Sequence, residues 1–220
     1  MIARQLINNE IIPLKTSDTA RQALNWMEEL KVAHLPIVNN EQLLGLISEQ
    51  DIYQWNNLDE VVGNHPLSLL KASVYEYQHI YDVMKLIALP GLTLIPVVDV
   101  KESYLGSITL LNLLQHLSLT FSVENPGGVI ILEISENDYN LTEIANIIES
   151  NNAKILSTFI MNHTDSTRLE LCLKVNKLEI GNILQTFERY GYLVKATFGN
   201  DEREEDLKGN YDSLMNFLNI

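Results

Sequence analysis

Leu44-Gly45-Leu46-Ile47-Ser48-Glu49-Gln50-Asp51 is the stretch that organises the first half of the chain. Its apolar run reads as a short buried strand, the serine as a helix cap, and the aspartate as a polar group one turn further on. A paler copy, Leu105-Gly106-Ser107-Ile108-Thr109-Leu110-Leu111-Asn112, follows sixty-one residues later. In each copy a glycine permits close backbone approach and a hydroxyl caps the next helix. Such a helix start presents free N–H groups and a positive dipole end, a ready place for a phosphate. A carboxylate beside it can accept both hydroxyls of a ribose. These are the parts of a nucleotide pocket, and they occur twice.

Working outward, the same element order surrounds both copies. Ile11 to Lys15 reads as a short strand, and Ala20, Ala23, Leu24, Met27 and Leu30 recur at helical spacing. The strand Leu35-Pro36-Ile37-Val38, a turn at Asn39-Asn40-Glu41, the strand Gln42 to Ile47 and a helix from Ser48 to about Trp55 complete the unit. After the linker Gly63-Asn64-His65-Pro66 come a helix with Ile80, Val83, Met84 and Ile87, stopped by Pro90-Gly91, and the strand Leu94 to Val98. A turn over 99–103, the strand Tyr104 to Ile108 and a helix over 109–119 follow. Leu35-Pro36-Ile37-Val38 maps on Ile95-Pro96-Val97-Val98 sixty residues on, and the register slips by one in the intervening turn. That is an internal repeat. Neither unit has enough elements for a core of its own, so the two are expected to stack around a shared cleft. The proline in each short strand removes a donor, which suits a short or edge strand with apolar surface toward that cleft.

Pro126-Gly127-Gly128 marks a boundary. Beyond it the pattern reads as a strand (129–134), a helix (140–151), two strands (154–161 and 168–175) joined by a hairpin loop over 162–167, a helix (178–190) and a strand (193–198). This β-α-β-β-α-β order is that of a ferredoxin-like sandwich. The remainder begins charged and becomes amphipathic through Leu207, Tyr211, Leu214, Met215 and Leu218, as a docking helix would. The fold class is therefore α/β (α+β), with expected divisions at residues 1–62, 63–122, 127–199 and 200–220.

The chain has 220 residues, 46% of them hydrophobic, and a formal net charge of −14, with no basic cluster to offset it. It can bury real cores, and its acidity disfavours nucleic acid. It has no run of eighteen apolar residues and no basic, apolar start, so neither membrane insertion nor export is expected. A single cysteine, Cys172, sits in an alternating strand, where it reads as a buried small hydrophobe of a cytoplasmic protein. The histidines at 34, 65, 79, 116 and 163 show no metal-ligand spacing, so no metal is expected. No nucleophile elbow, lysine-bearing phosphate loop or assembled Ser/His/Asp set suggests catalysis, and the carboxylates fit solvated helix faces. An enzyme is not expected.

Roughly the first 120 residues resemble a tandem of CBS domains, a Bateman module, through the repeated h-P-h-h strands and the motif Gly45-Leu46-Ile47-Ser48-Glu49-Gln50-Asp51. The last 90 or so are similar to an ACT domain in element order and in the entry Pro126-Gly127-Gly128-Val129-Ile130-Ile131-Leu132. The layout resembles the acetoin-utilisation accessory protein family. The resemblance implies an adenosine-containing ligand (AMP, ADP, ATP or S-adenosylmethionine) in the cleft, with no other cofactor. Ser48 would then meet phosphate or ribose, Asp51 the ribose diol, Leu14 and Ile37 the adenine, with Thr16 nearby. In the second copy Thr109 keeps the hydroxyl, while Asn112 replaces the aspartate and lacks the charge that strengthens a diol contact. That site is expected to be weaker or empty. The same residues also fit plain capping boxes, a reading favoured for Thr109 and Asn112. The turn Asn137-Asp138-Tyr139, where ACT domains bind amino acids, has no glycine and reads as an ordinary turn. Two functions stay open: a regulatory sensor that passes ligand binding to the ACT-like domain or a partner protein, and a ligand-free dimeric scaffold. A homodimer through the CBS or ACT-like domains is implied in either case.

Overall fold

The computed structural model describes residues 1–65, 72–88, 91–162 and 168–199. Pro66, Pro90, the loop over 163–167 and the amphipathic stretch 200–220 lie outside the described residues. The chain divides into two compact units, Met1–His116 and Leu117–Ile220.

In the first unit, Thr19 caps α1 (Ala20–Leu30), its hydroxyl accepting from the Gln22 amide at 3.3 Å while the Gln22 side chain accepts from the Thr19 amide at 2.9 Å. Both donors would otherwise be unsatisfied at a helix start. The helix buries Ala20, Ala23 and Met27 and ends at Lys31, whose left-handed φ of 55° stops propagation. Next come β1 (His34–Asn39) and β2 (Gln42–Ser48), an antiparallel hairpin. Its two connecting residues, Asn40 and Glu41, both have positive φ, as a tight hairpin matched to strand twist requires. The five-residue α2 (Glu49–Tyr53) closes the first repeat.

The second repeat follows the same plan. β3 (Val74–Tyr75) runs parallel to β4 (Leu94–Val98), which pairs antiparallel with β5 (Tyr104–Thr109). The helices are α3 (Ile80–Ile87) and α4 (Leu110–Thr120), the division between the units falling within α4. The repeat extends to backbone irregularities: each hairpin is bulged, between Ile37 and Val38 and between Val97 and Val98. The bulges face Gly45 and Gly106, whose φ values of 151° and 153° suit glycine far better than any residue with a Cβ.

Two expectations change. Ile11 to Lys15 is no strand: Leu14 alone bridges Ile37, its N–H donating to the Pro36 carbonyl at 2.8 Å. Val38 returns an N–H to the Leu14 carbonyl at 2.8 Å. That pairing needs no donor at position 36, which is how a proline is accommodated there. The second proline strand, β4, is short but central in its three-stranded sheet, not at an edge. The N-terminal segment, in turn, pairs with the second repeat. Ala3 and Arg4 donate to the carbonyls of Gln78 and Glu76, Asn8 donates to Ser107, and Ile80 donates to Met1. Ala3 and Leu6 are fully buried.

In the second unit β6 (Val129–Ser135), α5 (Leu141–Ser150), β7 (Ile155–Asn162), β8 (Arg168–Val175), α6 (Gly181–Arg189) and β9 (Leu193–Phe198) form a sheet of order β7-β8-β6-β9 with antiparallel neighbours. This is the split β-α-β-β-α-β arrangement expected from the pattern. Ile130, Leu132 and Ile134 join Leu169, Leu171, Leu173 and Val175 on one face, against Ile144, Ile148, Ile183 and Phe187 of the helices. Cys172 points to the other face and is buried, its thiol pKa raised by desolvation. Gly127 lies so close to Val175 that an added Cβ would sit 1.8 Å from its carbonyl oxygen. The glycine pair is thus a requirement of close packing.

Candidate functional site

Ser48 ends β2 and caps α2. Its hydroxyl accepts from the Asp51 amide at 3.1 Å, while Asp51 Oδ2 accepts from the Ser48 amide at 3.0 Å and from its hydroxyl at 2.7 Å. The capping box is present, and one carboxylate oxygen is engaged inside it. Around it, His34 Nδ1 lies 3.1 Å from Thr93 Oγ1, which also accepts from the Ala33 amide at 3.0 Å. Burial lowers the His34 pKa, against an opposing pull from Asp51 and Glu49. In the second copy the Asn112 amide donates to Thr109 Oγ1 at 3.1 Å, but Asn112 Oδ1 is buried without a hydrogen-bond partner.

Both helix starts are less open than their sequence implies. Glu49 N–H donates to the Ala33 carbonyl at 3.0 Å, and Leu110 N–H donates to the Thr93 carbonyl at 3.1 Å. With the Asp51 and Asn112 amides already committed to Ser48 and Thr109, two of the first three amides of each helix have protein acceptors. The expectation of free N–H groups for a phosphate is corrected to a single such amide in each, Gln50 and Leu111.

The remaining expected residues do not assemble around Ser48. Leu14 pairs in parallel with Ile37, whereas Ser48 pairs with His34 at the opposite end of β1. Thr16 follows two residues after this bridge, in the turn that leads to α1. Its carbonyl accepts from the Gly63 amide at 2.9 Å. Leu14 and Ile37 are fully buried in the core of the unit. Spacing along the chain cannot show which end of a strand a loop occupies; the register does.

A cleft of about 520 Å³ opens instead at the second motif. Thr109, Leu110, Leu111 and Leu114 form one wall, and Thr93 adds a hydroxyl. The first repeat supplies Asn8, Glu10 and Ile11 from the segment before Leu14, with Glu29, Leu30, Lys31 and Val32 from the end of α1 and the turn after it. Neither Ser48 nor Asp51 lines this cleft. Its size and mostly apolar walls, with a few convergent polar groups, suit a small organic ligand. Sequence reading missed Asn8, Glu10, Lys31 and Thr93. The available signal was positional: residues 33 and 93 are repeat-equivalent and each lies two residues before the first residue of an h-P-h-h stretch.

In the second unit, a cavity of about 380 Å³ is bordered by Ser135, Asp138, Glu143, Tyr190 and Tyr192. Tyr192 donates to Glu143 at 2.7 Å, and desolvation together with this carboxylate holds its phenol pKa well above the usual range. Asn137-Asp138 belongs to a short 3-10 turn (Glu136–Asp138) at the edge of this cavity. Among the described residues no group of three or more His, Cys, Asp or Glu could hold a metal ion, and no helix is long and apolar enough to cross a membrane.

Residues 3–56 match the family model of the CBS domain. Among curated proteins, an uncharacterized protein of Methanopyrus kandleri is 26% identical over 117 residues, 50% of this chain and 60% of that protein. The inosine-5'-monophosphate dehydrogenase of Methanocaldococcus jannaschii is 22% identical over 152 residues, 67% of this chain and 30% of the enzyme. The matches thus span less than two thirds of either relative. Among solved structures, a CBS domain pair/ACT domain protein from Thermotoga maritima aligns at a TM-score of 0.48 and 22% identity, over 53% of this chain and 96% of that one. CBSX2 in complex with AMP aligns at 0.44 and 19%, over 54% and 96%.

Proposed function

We propose that the first unit is a paired CBS module that binds an adenosine-containing ligand, and that the protein is a non-enzymatic regulatory sensor of the cytoplasm. The carrying observation is the cleft of about 520 Å³, which takes its walls from both repeats and sets apolar residues for a base beside the hydroxyls of Thr93 and Thr109. A ligand there touches the segment before Leu14, the turn after α1 and the start of α4, so its occupancy is felt by both repeats. The motif at Ser48 and Asp51 is proposed as a second site, the free oxygen of Asp51 serving as the diol acceptor. Residues 127–199 are proposed as an ACT-type domain, in a layout like that of the acetoin-utilisation accessory proteins. They, or a partner protein, receive the signal. Transmission requires different affinities for two arrangements of the repeats, since equal affinity shifts nothing.

A second reading, a ligand-free dimeric scaffold, is favoured by Leu111 at 66% and Leu119 at 63% exposure along α4 and by the occupied capping box at Ser48 and Asp51. Calorimetry with adenosine, AMP, ADP, ATP, NAD and S-adenosylmethionine at millimolar concentration, combined with light scattering, separates the two. Binding supports the sensor, whereas a dimer indifferent to every one of these compounds supports the scaffold.

A further inference from the structure

We infer that the cleft at Thr109 takes a nucleoside that is uncharged or positively charged, and discriminates against nucleoside polyphosphates. This rests on the adenosine reading above and narrows it. Three observations carry it. The N-terminal amides of α4, the obvious phosphate donors, are mostly spent: Leu110 N–H is given to the Thr93 carbonyl and Asn112 N–H to Thr109 Oγ1. Only the Leu111 amide of the first three is left, and phosphate capture at a helix start depends on several such donors acting together.

The charges at the rim also have the wrong sign for a polyphosphate. Glu10 and Glu29 border the cleft against one cation, Lys31, and the lining contains no arginine, the side chain whose planar fork best matches phosphate oxygens. Around them the whole chain carries a formal net charge of −14. A triphosphate entering here brings several further negative charges toward a surface that is already negative. A neutral ribose meets hydroxyl and amide partners, and a cationic substituent such as a sulfonium meets two carboxylates.

In addition, the polar groups that remain suit a ribose hydroxyl. Thr109 Oγ1 accepts from one amide and keeps its proton to donate, and Thr93 Oγ1 already accepts from Ala33.

The test is isothermal titration of the full-length protein with adenosine, S-adenosylmethionine, AMP and ATP, each at low and at raised salt. Adenosine and S-adenosylmethionine are expected to bind at least about tenfold more tightly than ATP, with AMP between. Salt should narrow the gap, because screening relieves repulsion. The double variant Glu10→Gln/Glu29→Gln should narrow it too. ATP binding as tightly as adenosine, and weakening as salt is raised, would overturn the inference while leaving the adenosine reading intact. No binding of any of the four overturns both.

Discussion

Replacing Gly106 by alanine tests the contact that fastens the N-terminal segment to the second repeat. A Cβ at this position would sit 2.3 Å from Ile7 Cγ2, more than about 1 Å inside ordinary carbon–carbon contact. Ile7 is β-branched and stiff, and the neighbouring Asn8 amide is held by the Ser107 carbonyl at 2.8 Å, so the segment cannot slide without losing that bond. Overpacking of this kind costs about 1–3 kcal/mol. The backbone adds its own cost, since φ of 153° is unfavourable for alanine by roughly 1–2 kcal/mol. Together these give a loss of about 2–5 kcal/mol, a fall in Tm of roughly 8–20 °C for a unit of this size. Urea unfolding of wild type, Gly106→Ala, Ile7→Ala and the double variant forms a complete cycle. The double variant should recover the steric part, a coupling of about 1–3 kcal/mol, and retain the backbone part. Native-state hydrogen exchange should show faster exchange at the Ala3, Arg4 and Asn8 amides in Gly106→Ala. A coupling within about 0.5 kcal/mol of zero, with those amides unchanged, would refute the account of how the segment is held.

Three other substitutions probe the remaining links. Asn112→Asp should give the second motif the box that Ser48 and Asp51 already form, and place a negative charge at the start of α4, stabilising the unit by about 0.5–1 kcal/mol in urea titrations; a destabilised variant would contradict the equivalence of the two motifs. His34 is held below its ordinary pKa by burial, so the folded state resists its protonation. Its stabilising contribution is complete above about pH 6.5 and is lost as pH falls through the lowered folded-state value. His34→Gln should therefore show a shallower loss of stability than wild type between pH 7.5 and 5.5, and parallel curves would argue against the desolvated histidine. Phe187 is fully buried among the helix and sheet residues of the second unit and meets Tyr192 edge-on at 5.7 Å. Phe187→Ala should cost about 3–5 kcal/mol in urea unfolding of that unit, and a loss below about 1 kcal/mol would show that the site collapses around the vacancy.

Local order was legible because it depends on near neighbours in the chain. Hydrophobic spacing placed α1, α5 and the strands of the second unit, Asn40 and Glu41 placed a tight turn, and the matched h-P-h-h strands announced the repeat before any pairing was known. The glycine-to-hydroxyl motifs gave the capping geometry of Ser48 and Asp51 as well as their candidacy for a ligand. Both follow from the same atoms, which is why the residues alone could not choose between them.

What the tertiary structure decided concerns groups brought together from a distance. Strand register sets Leu14 beside Ile37 and Ser48 beside His34, apart along β1 although all belong to one repeat, and packing buries Leu14 and Ile37 in the core. Hydrogen bonds from Ala3, Arg4 and Asn8 tie the start of the first repeat to the second, a crossing that no periodicity encodes. The same crossing carries Asn8, Glu10 and Ile11 to Thr109, so the cleft lies beside the motif whose sequence is the poorer match. Finally, Ala33 and Thr93 occupy the helix-start amides that a motif alone leaves free. A sequence specifies which groups can bind; only packing determines which of them are still unspent when the chain has folded.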